Sequence, residues 1–417
     1  MATIAIMVDI EEGHLFPTFG LAGALREAGH TILYLSIPDN AEFVKREGFA
    51  FYPVFEKYYP RGFRARYKET NGPSGHKYRD SVRVHMDELI SGSFGELLRE
   101  IGPDVLIISC FLNIEALILF YSLRIEPVIL RPFLREKGVD IMSECTQDIM
   151  NLAGDAAMKL FDFAAGLGLR FTSFADLVKP LKNFPELVLC SKAFELGEPV
   201  TSEKIFYIGS DIGRRVGNGE VLPGIRTFGG RKVIYASLGS QTITYQAAFE
   251  LFFRKMVGIM EMDGMKNMHL VIAIGVENDA SRFSAVSENI TVVKWISQLD
   301  ILGIASVAVI HGGLGAIKEC IHHGVPMVVL PIMRDQPANA RRVVYHQLGV
   351  ALDINCVQEQ DLAGHIQQVL NSEAIRENLA NMKQRFALLD EENLGVAIIE
   401  RIIAERAGVS LPSWSGR

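Results

Sequence analysis

The residues between Trp295 and Asn339 are of the kinds that hold a phosphate-bearing, hydroxyl-rich ligand. The run reads W-I-S-Q, an apolar stretch, H-G-G-L-G-A-I-K-E, G-V-P and P-I-M-R-D-Q-P-A-N. His311, Gly312, Gly313 and Gly315 stand where a strand hands over to a helix. Glycines there let a ligand reach the backbone, and the free N–H groups and dipole of a helix start attract an anion. A diphosphate suits that place. His311 adds a donor at the strand tip, and Ala316 contributes its backbone alone. Glu319 follows Gly315 by one helical turn on the same face, where a carboxylate accepts from two vicinal ribose hydroxyls. Trp295 offers a flat face for a base, with Ile296 beside it and Gln298 supplying an amide. Asp335 and Gln336 pair acceptor and donor groups, as sugar hydroxyls require.

Two further pieces could do chemistry. Gly13-His14 falls between the first strand and its helix, and a histidine there is suited to act as a general base near neutrality. Ser237-Leu238-Gly239-Ser240 follows another strand, and the Ser240 hydroxyl could touch a phosphate. Singly, each motif is common in turns; their joint order and spacing carry the signal.

The elements that must position these groups are short apolar strands alternating with helices. Strands are expected at residues 4–8, 31–35 and 105–109 in the first half, with a helix over 17–28. The second half repeats the logic at 233–237, 270–274, 291–293, 307–310 and 327–330, with a helix from about Gly315 to His323 stopped by Gly324. Continuous apolar strands separated by helices imply parallel sheets covered on both faces. Ligands bind at the carboxyl ends of such strands, where all these groups map. The expected organisation is a first domain over 1–208, a glycine-rich linker over 209–230, a second domain over 231–395, and a last helix in 396–417 that returns to the first domain.

Composition sets the bounds. A chain of 417 residues suits two domains. A formal charge of −7 argues against a nucleic-acid partner for the whole chain. The five cysteines contain no C-x-x-C pair and read as buried thiols in a reducing compartment. The start of the chain lacks a basic n-region and reads as a buried strand, so a cytoplasmic protein is expected. There is no dinucleotide fingerprint, no P-loop, no G-x-S-x-G elbow and no D-x-D metal clamp. No cofactor and no metal are therefore expected, and a nucleotide-sugar would be a substrate.

These residues in this order resemble the inverting UDP-glycosyltransferase superfamily, including its bacterial natural-product members of macrolide type. The likeness spans Gly13-His14 with Pro17, Ser237–Ser240 and residues 295–339. It implies the GT-B fold, two Rossmann-like domains facing a cleft. It implies that His14 deprotonates the acceptor hydroxyl, that Trp295 stacks on the base and that Gln298 and Glu319 meet the ribose. It sets His311 with Gly312–Gly315 on the diphosphate and Asp335 and Gln336 on the sugar. Many members carry an acid at the end of the strand written here P-D-V-L-I-I-S, where it polarises the histidine. This chain has Ser109. The substitute could be Glu11, Glu12 or Glu115, or the acceptor could itself be acidic. Members also often carry a hydroxyl residue where Ala316 stands.

Residues 57–83 hold eight basic residues against two acidic ones, with tyrosines interleaved. Arg61, Arg64 and Arg66 are expected to grip an anionic acceptor, or an anionic membrane surface that concentrates one. The expected activity is metal-independent, inverting transfer of a hexose, glucose first, from UDP-sugar or dTDP-sugar to a hydroxyl of a small apolar or lipid-like acceptor. The alternatives are a nucleotide-sugar epimerase on the same fold and a non-catalytic auxiliary subunit. The latter should have lost Asp335-Gln336, which are present.

Overall fold

The computed structural model describes residues 1–65, 85–136, 144, 147, 149–150, 158–198, 202–215, 228, 230–240, 242–276, 278–279 and 287–409. The chain forms two compact units. One holds Met1–Leu189, Val200–Arg214 and Leu389–Arg417; the other holds Cys190–Pro199 and Arg215–Leu388. Boundaries thus fall at 189/190, 199/200, 214/215 and 388/389, where the sequence reading set 208, 230 and 395.

The first unit is built on seven parallel strands: β1 (Thr3–Met7), β2 (Thr31–Ser36), β3 (Ala50–Pro53), β4 (Val105–Ser109), β5 (Val128–Arg131), β6 (Glu186–Val188) and β7 (Ile205–Tyr207). Their order is β3-β2-β1-β4-β5-β6-β7. Side chains alternate across a strand, so β1 and β4 feed two cores. Ala5, Met7, Leu106 and Ile108 face one. Ile4, Ile6, Val105 and Ile107 face the other. That second core also takes in Val396, Ile398 and Ile399 of the helix Leu394–Arg406. Gly395 permits the close approach: a Cβ there would lie 2.7 Å from Leu21 Cδ1.

The second unit has six parallel strands: β8 (Lys232–Ser237), β9 (Met268–Ala273), β10 (Ile290–Val293), β11 (Ala305–Ile310), β12 (Met327–Val329) and β13 (Gly349–Ala351). The order β10-β9-β8-β11-β12-β13 places its reversal between β8 and β11, as β1 and β4 do in the first sheet. The piece Cys190–Pro199 is fastened to this unit by a buried ion pair, Arg342 Nη2 donating to Glu195 Oε2 at 2.7 Å.

Candidate functional site

In the first unit, β1 and β4 run side by side with Met7 opposite Ile108. Asp9 and Ser109 therefore emerge together at the carboxyl edge, at the point where strand order reverses. The four-residue helix Glu12–Leu15 turns the chain back so that His14 faces Asp9. His14 Nδ1 lies 2.8 Å from Asp9 Oδ1. Ser109 Oγ donates to Asp9 Oδ2 at 2.7 Å, and the Glu11 N–H donates to Oδ1 at 3.0 Å. Burial pushes the Asp9 carboxyl up, but the His14 charge, the His14 and Ser109 hydrogen bonds and the Glu11 N–H together hold it below the usual carboxylate range. The His14 ring stacks on Phe111 with centroids 4.1 Å apart and planes 11° apart. Phe133 packs behind Phe111 at 5.3 Å.

The loop carrying Asp9 is tied down through three consecutive carbonyls. Ser36 Oγ donates to Val8 O at 2.8 Å, Asn40 Nδ2 to Asp9 O at 3.2 Å and Arg64 Nε to Ile10 O at 2.9 Å. Arg64 also donates to Glu12 Oε1 at 2.7 Å and to Asn40 Oδ1. This corrects the expectation of three free arginines. Arg64 is buried and its guanidinium is used inside the unit. Arg61 is exposed, 3.8 Å from Glu42. Arg66 and most of residues 57–83 lie outside the described residues. Two of the three expected substitutes for the missing acid are placed elsewhere: Glu12 meets Arg64, and Glu115 accepts from buried His85 at 2.7 Å. Of the cysteines, Cys110, Cys190 and Cys320 are buried as expected; Cys356 is exposed, which corrects that expectation, and Cys145 lies outside the described residues.

In the second unit, β11 ends at His311 and the helix Leu314–His323 begins directly after Gly313, its N-cap. Gly324, at φ 71°, stops it. The His311 ring sits between two glycines. A Cβ on Gly239 would lie 2.7 Å from its Cε1, and one on Gly313 2.6 Å from its Nε2. Among the described residues no hydrogen-bond partner reaches His311 Nδ1. Burial lowers the His311 pKa to about 4, so the ring is neutral at pH 7. Gly315, by contrast, faces open space, with nothing within 4 Å of a Cβ placed there. Ala316 is buried in the first turn of the helix.

One turn further in, Glu319 and Gln298 meet. Gln298 Nε2 donates to Glu319 Oε2 at 2.7 Å, and Tyr235 OH donates to Gln298 Oε1 at 3.2 Å. Arg215 Nη1 pairs with Glu319 Oε1. Ser297 caps the helix Gln298–Leu302 and so sets the direction of Gln298. Trp295 is 41% exposed, while its neighbour Ile296 is buried. Ser240 lies just past the turn at Gly239 and is partly buried.

Asp335 is the N-cap of the helix Gln336–Tyr345. Asn339 Nδ2 bridges Asp335 Oδ2 at 2.7 Å and Gly312 O at 3.0 Å, which ties this pair to the glycine turn. Gln336 Oε1 accepts from the N–H groups of Ile332 and Met333 at 2.8 and 3.0 Å. Its amide nitrogen is then the end that can serve a sugar. The structure thus groups Gly312, Gly313, His311, Asp335 and Gln336, and separately Gln298, at the start of the helix Gln298–Leu302, with Glu319 of the helix Leu314–His323. Sequence reasoning missed Asp9, Phe111, Tyr235, Arg215 and Asn339. An acid two residues past β1 was the available signal for Asp9; Tyr235 lies inside an apolar strand and offered none.

Comparison with known proteins agrees with this layout. Residues 277–386 match the family described as UDP-glucoronosyl and UDP-glucosyl transferase. The uncharacterized UDP-glucosyltransferase YdhE of Bacillus subtilis (strain 168) is 24% identical over 406 residues, 93% of this chain and 94% of that one. Among solved structures, the glycotransferase of kitacinnamycin superposes with a TM-score of 0.75 at 26% identity, covering 96% of this chain and 99% of the other. The calicheamicin glycosyltransferase CalG4 gives 0.70 at 19%, covering 97% and 98%. The matched segment contains the whole glycine turn with Gln298, Glu319 and Asp335-Gln336, and the likeness of fold extends over both units: the chain is similar to the UDP-glycosyltransferases and has their GT-B fold.

Proposed function

We propose that the protein transfers a hexose, glucose first, from UDP-sugar or dTDP-sugar to a hydroxyl of a small apolar or lipid-like acceptor, with inversion. The observation that carries this reading is the helix start at Gly313–Gly315 with Glu319 one turn in, at the carboxyl end of β11. There the backbone N–H groups and the helix dipole meet a diphosphate, and Glu319 with Gln298 meets a ribose. His311 Nδ1, unpartnered and on a neutral ring, is the group that a phosphate oxygen would satisfy. This charge neutralisation uses backbone and dipole, so the reading needs no bound metal. Asp335 and Gln336 serve the sugar hydroxyls. His14 takes the proton of the acceptor hydroxyl; the acceptor oxygen bonds to the anomeric carbon; the bond from that carbon to the diphosphate breaks, and its electron pair leaves with the nucleotide. Phe111 and Phe133 beside His14 give an acceptor an apolar surface.

The test is His14→Ala, studied by turnover and by calorimetry with UDP and dTDP. The expected result is loss of transfer with nucleotide affinity intact, because base and donor site belong to different units. Undiminished turnover in the variant removes His14 from the reaction. A wild-type chain that binds neither nucleotide removes the donor assignment. The anomeric configuration of the product, read by NMR coupling constants, decides inversion.

A further inference from the structure

We propose that Asp9 is the positioning carboxylate of His14, delivered from the end of β1, with Ser109 at the end of β4 serving as its hydrogen-bonding support. The proposal rests on the reading of His14 as the proton acceptor and adds the group that sets its tautomer.

Three observations carry it. The first is geometry: Asp9 Oδ1 lies 2.8 Å from His14 Nδ1, and its other oxygen accepts from Ser109 Oγ at 2.7 Å. The second is burial. Asp9 is 5% exposed, so its charge is set in a low-dielectric pocket where a single ionic partner counts for much. The third is the backbone. Val8, Asp9 and Ile10 each have their carbonyl held by a side chain from another segment, Ser36, Asn40 and Arg64. A loop fastened at three successive residues fixes one carboxylate in one orientation. Two nearby carboxylates are engaged elsewhere: Glu12 is bound by Arg64, and Glu115 by His85.

The chemistry follows from the ring. An ionised Asp9 accepts only, so Nδ1 must carry the hydrogen and the lone pair stands on Nε2. Nε2 receives the acceptor's proton; the imidazolium keeps Nδ1–H on Asp9, which stays ionised throughout. The His14 charge, the His14 and Ser109 hydrogen bonds and the Glu11 N–H keep that carboxyl ionised against the effect of burial. Stacking on Phe111 fixes the remaining freedom of the imidazole plane. In this chain the carboxylate facing His14 comes from the end of β1, and Ser109 at the end of β4 is its hydrogen-bond donor.

The experiment combines a readout of the ring with a readout of the reaction. In protein labelled with 15N-histidine, His14 is expected as the Nδ1–H tautomer in the wild type. It should pass to the Nε2–H form in Asp9→Asn, whose amide offers a donor toward Nδ1. Asp9→Asn should lower kcat by about 10²–10⁴-fold with an alkyl alcohol acceptor. With a nitrophenol, which needs little help to ionise, the loss should shrink at least tenfold, and the donor KM should hold. Ser109→Ala should keep the tautomer and lose about tenfold or less. A wild-type Nε2–H tautomer overturns the proposal. So does an Asp9→Asn variant with an unchanged tautomer, whether its kcat is retained or falls equally for both acceptors. The tautomer is read without turnover, so it stands even if the transferase reading fails; that reading is tested by His14→Ala and by UDP binding.

Discussion

His311 shows how a single residue can be shaped for a ligand and leave a signature in stability. Glycines on both sides make room for the ring, and burial holds its pKa near 4. The unfolded ring titrates near the ordinary histidine value of about 6.5. Between these values the unfolded chain binds a proton that the folded chain does not, so His311 makes stability rise with pH. Its contribution is complete above about pH 6.5 and lost toward pH 4, with a slope of about 1.4 kcal/mol per pH unit. The difference in unfolding free energy between wild type and His311→Gln, measured by urea melts from pH 4 to 7, should show that slope. A flat difference would mean that the ring is solvated. Arg64 gives a second expectation at this scale. Because it holds Ile10 O and Glu12 from a buried position, Arg64→Ala should cost about 3 kcal/mol and lower kcat. Neither effect should depend on salt, whereas an exposed acceptor-gripping cation would be screened. A steady-state series at low and high ionic strength separates the two roles. The sequence reading named Glu319, Gly312, Gly313 and His311 together because their spacing is set by one helix and one turn. It missed Asp9 because the partner of His14 is decided by how two strands register, which no local spacing reveals.

At the level of elements, the helix Leu314–His323 separates function from stability within one turn. Gly313 cannot carry a side chain without meeting His311, while Gly315 could do so freely. Gly315→Ala should therefore leave the melting temperature unchanged or raise it, since alanine in a helix interior gains roughly up to 1 kcal/mol over glycine. The same methyl stands where the proposed function puts the diphosphate, so UDP affinity should fall about tenfold or more by calorimetry. Retained affinity would move the diphosphate away from this turn. The longer apolar strands were evident from sequence, since a five- or six-residue run buried on both faces reads as one block. The strands β3, β5, β6, β7 and β13 were not identified. They are three or four residues long, and β3 is largely exposed, so neither length nor apolar run distinguishes them from loop. Among the described residues no helix is long and apolar enough to cross a membrane.

At the level of the whole molecule, the two units can be perturbed one at a time. Ile399 is fully buried in the first unit's core, on the helix Leu394–Arg406. Ile399→Ala should cost 2–5 kcal/mol there and leave UDP binding intact. Added UDP should stabilise the second unit by about 2.7 kcal/mol at 100 times its Kd. Two calorimetric transitions, one moved by the mutation and the other by the nucleotide, are the expected outcome; a mutation that shifts both equally would show one cooperative block. The same helix has a consequence for how the protein is made. Residues 394–406 leave the ribosome after residues 215–388, so the second unit has its strands in hand before the first can close its core. Folding during synthesis usually runs from the N-terminal domain onward. Here the order is inverted: the unit whose strands are translated first waits, with the apolar face around Leu21 and Ile208 uncovered, for a helix translated after the second unit. A pause in translation just past residue 388 would thus leave a finished second unit in a chain whose first unit is unfinished, which is the point in the life of the chain where a chaperone has most to hold.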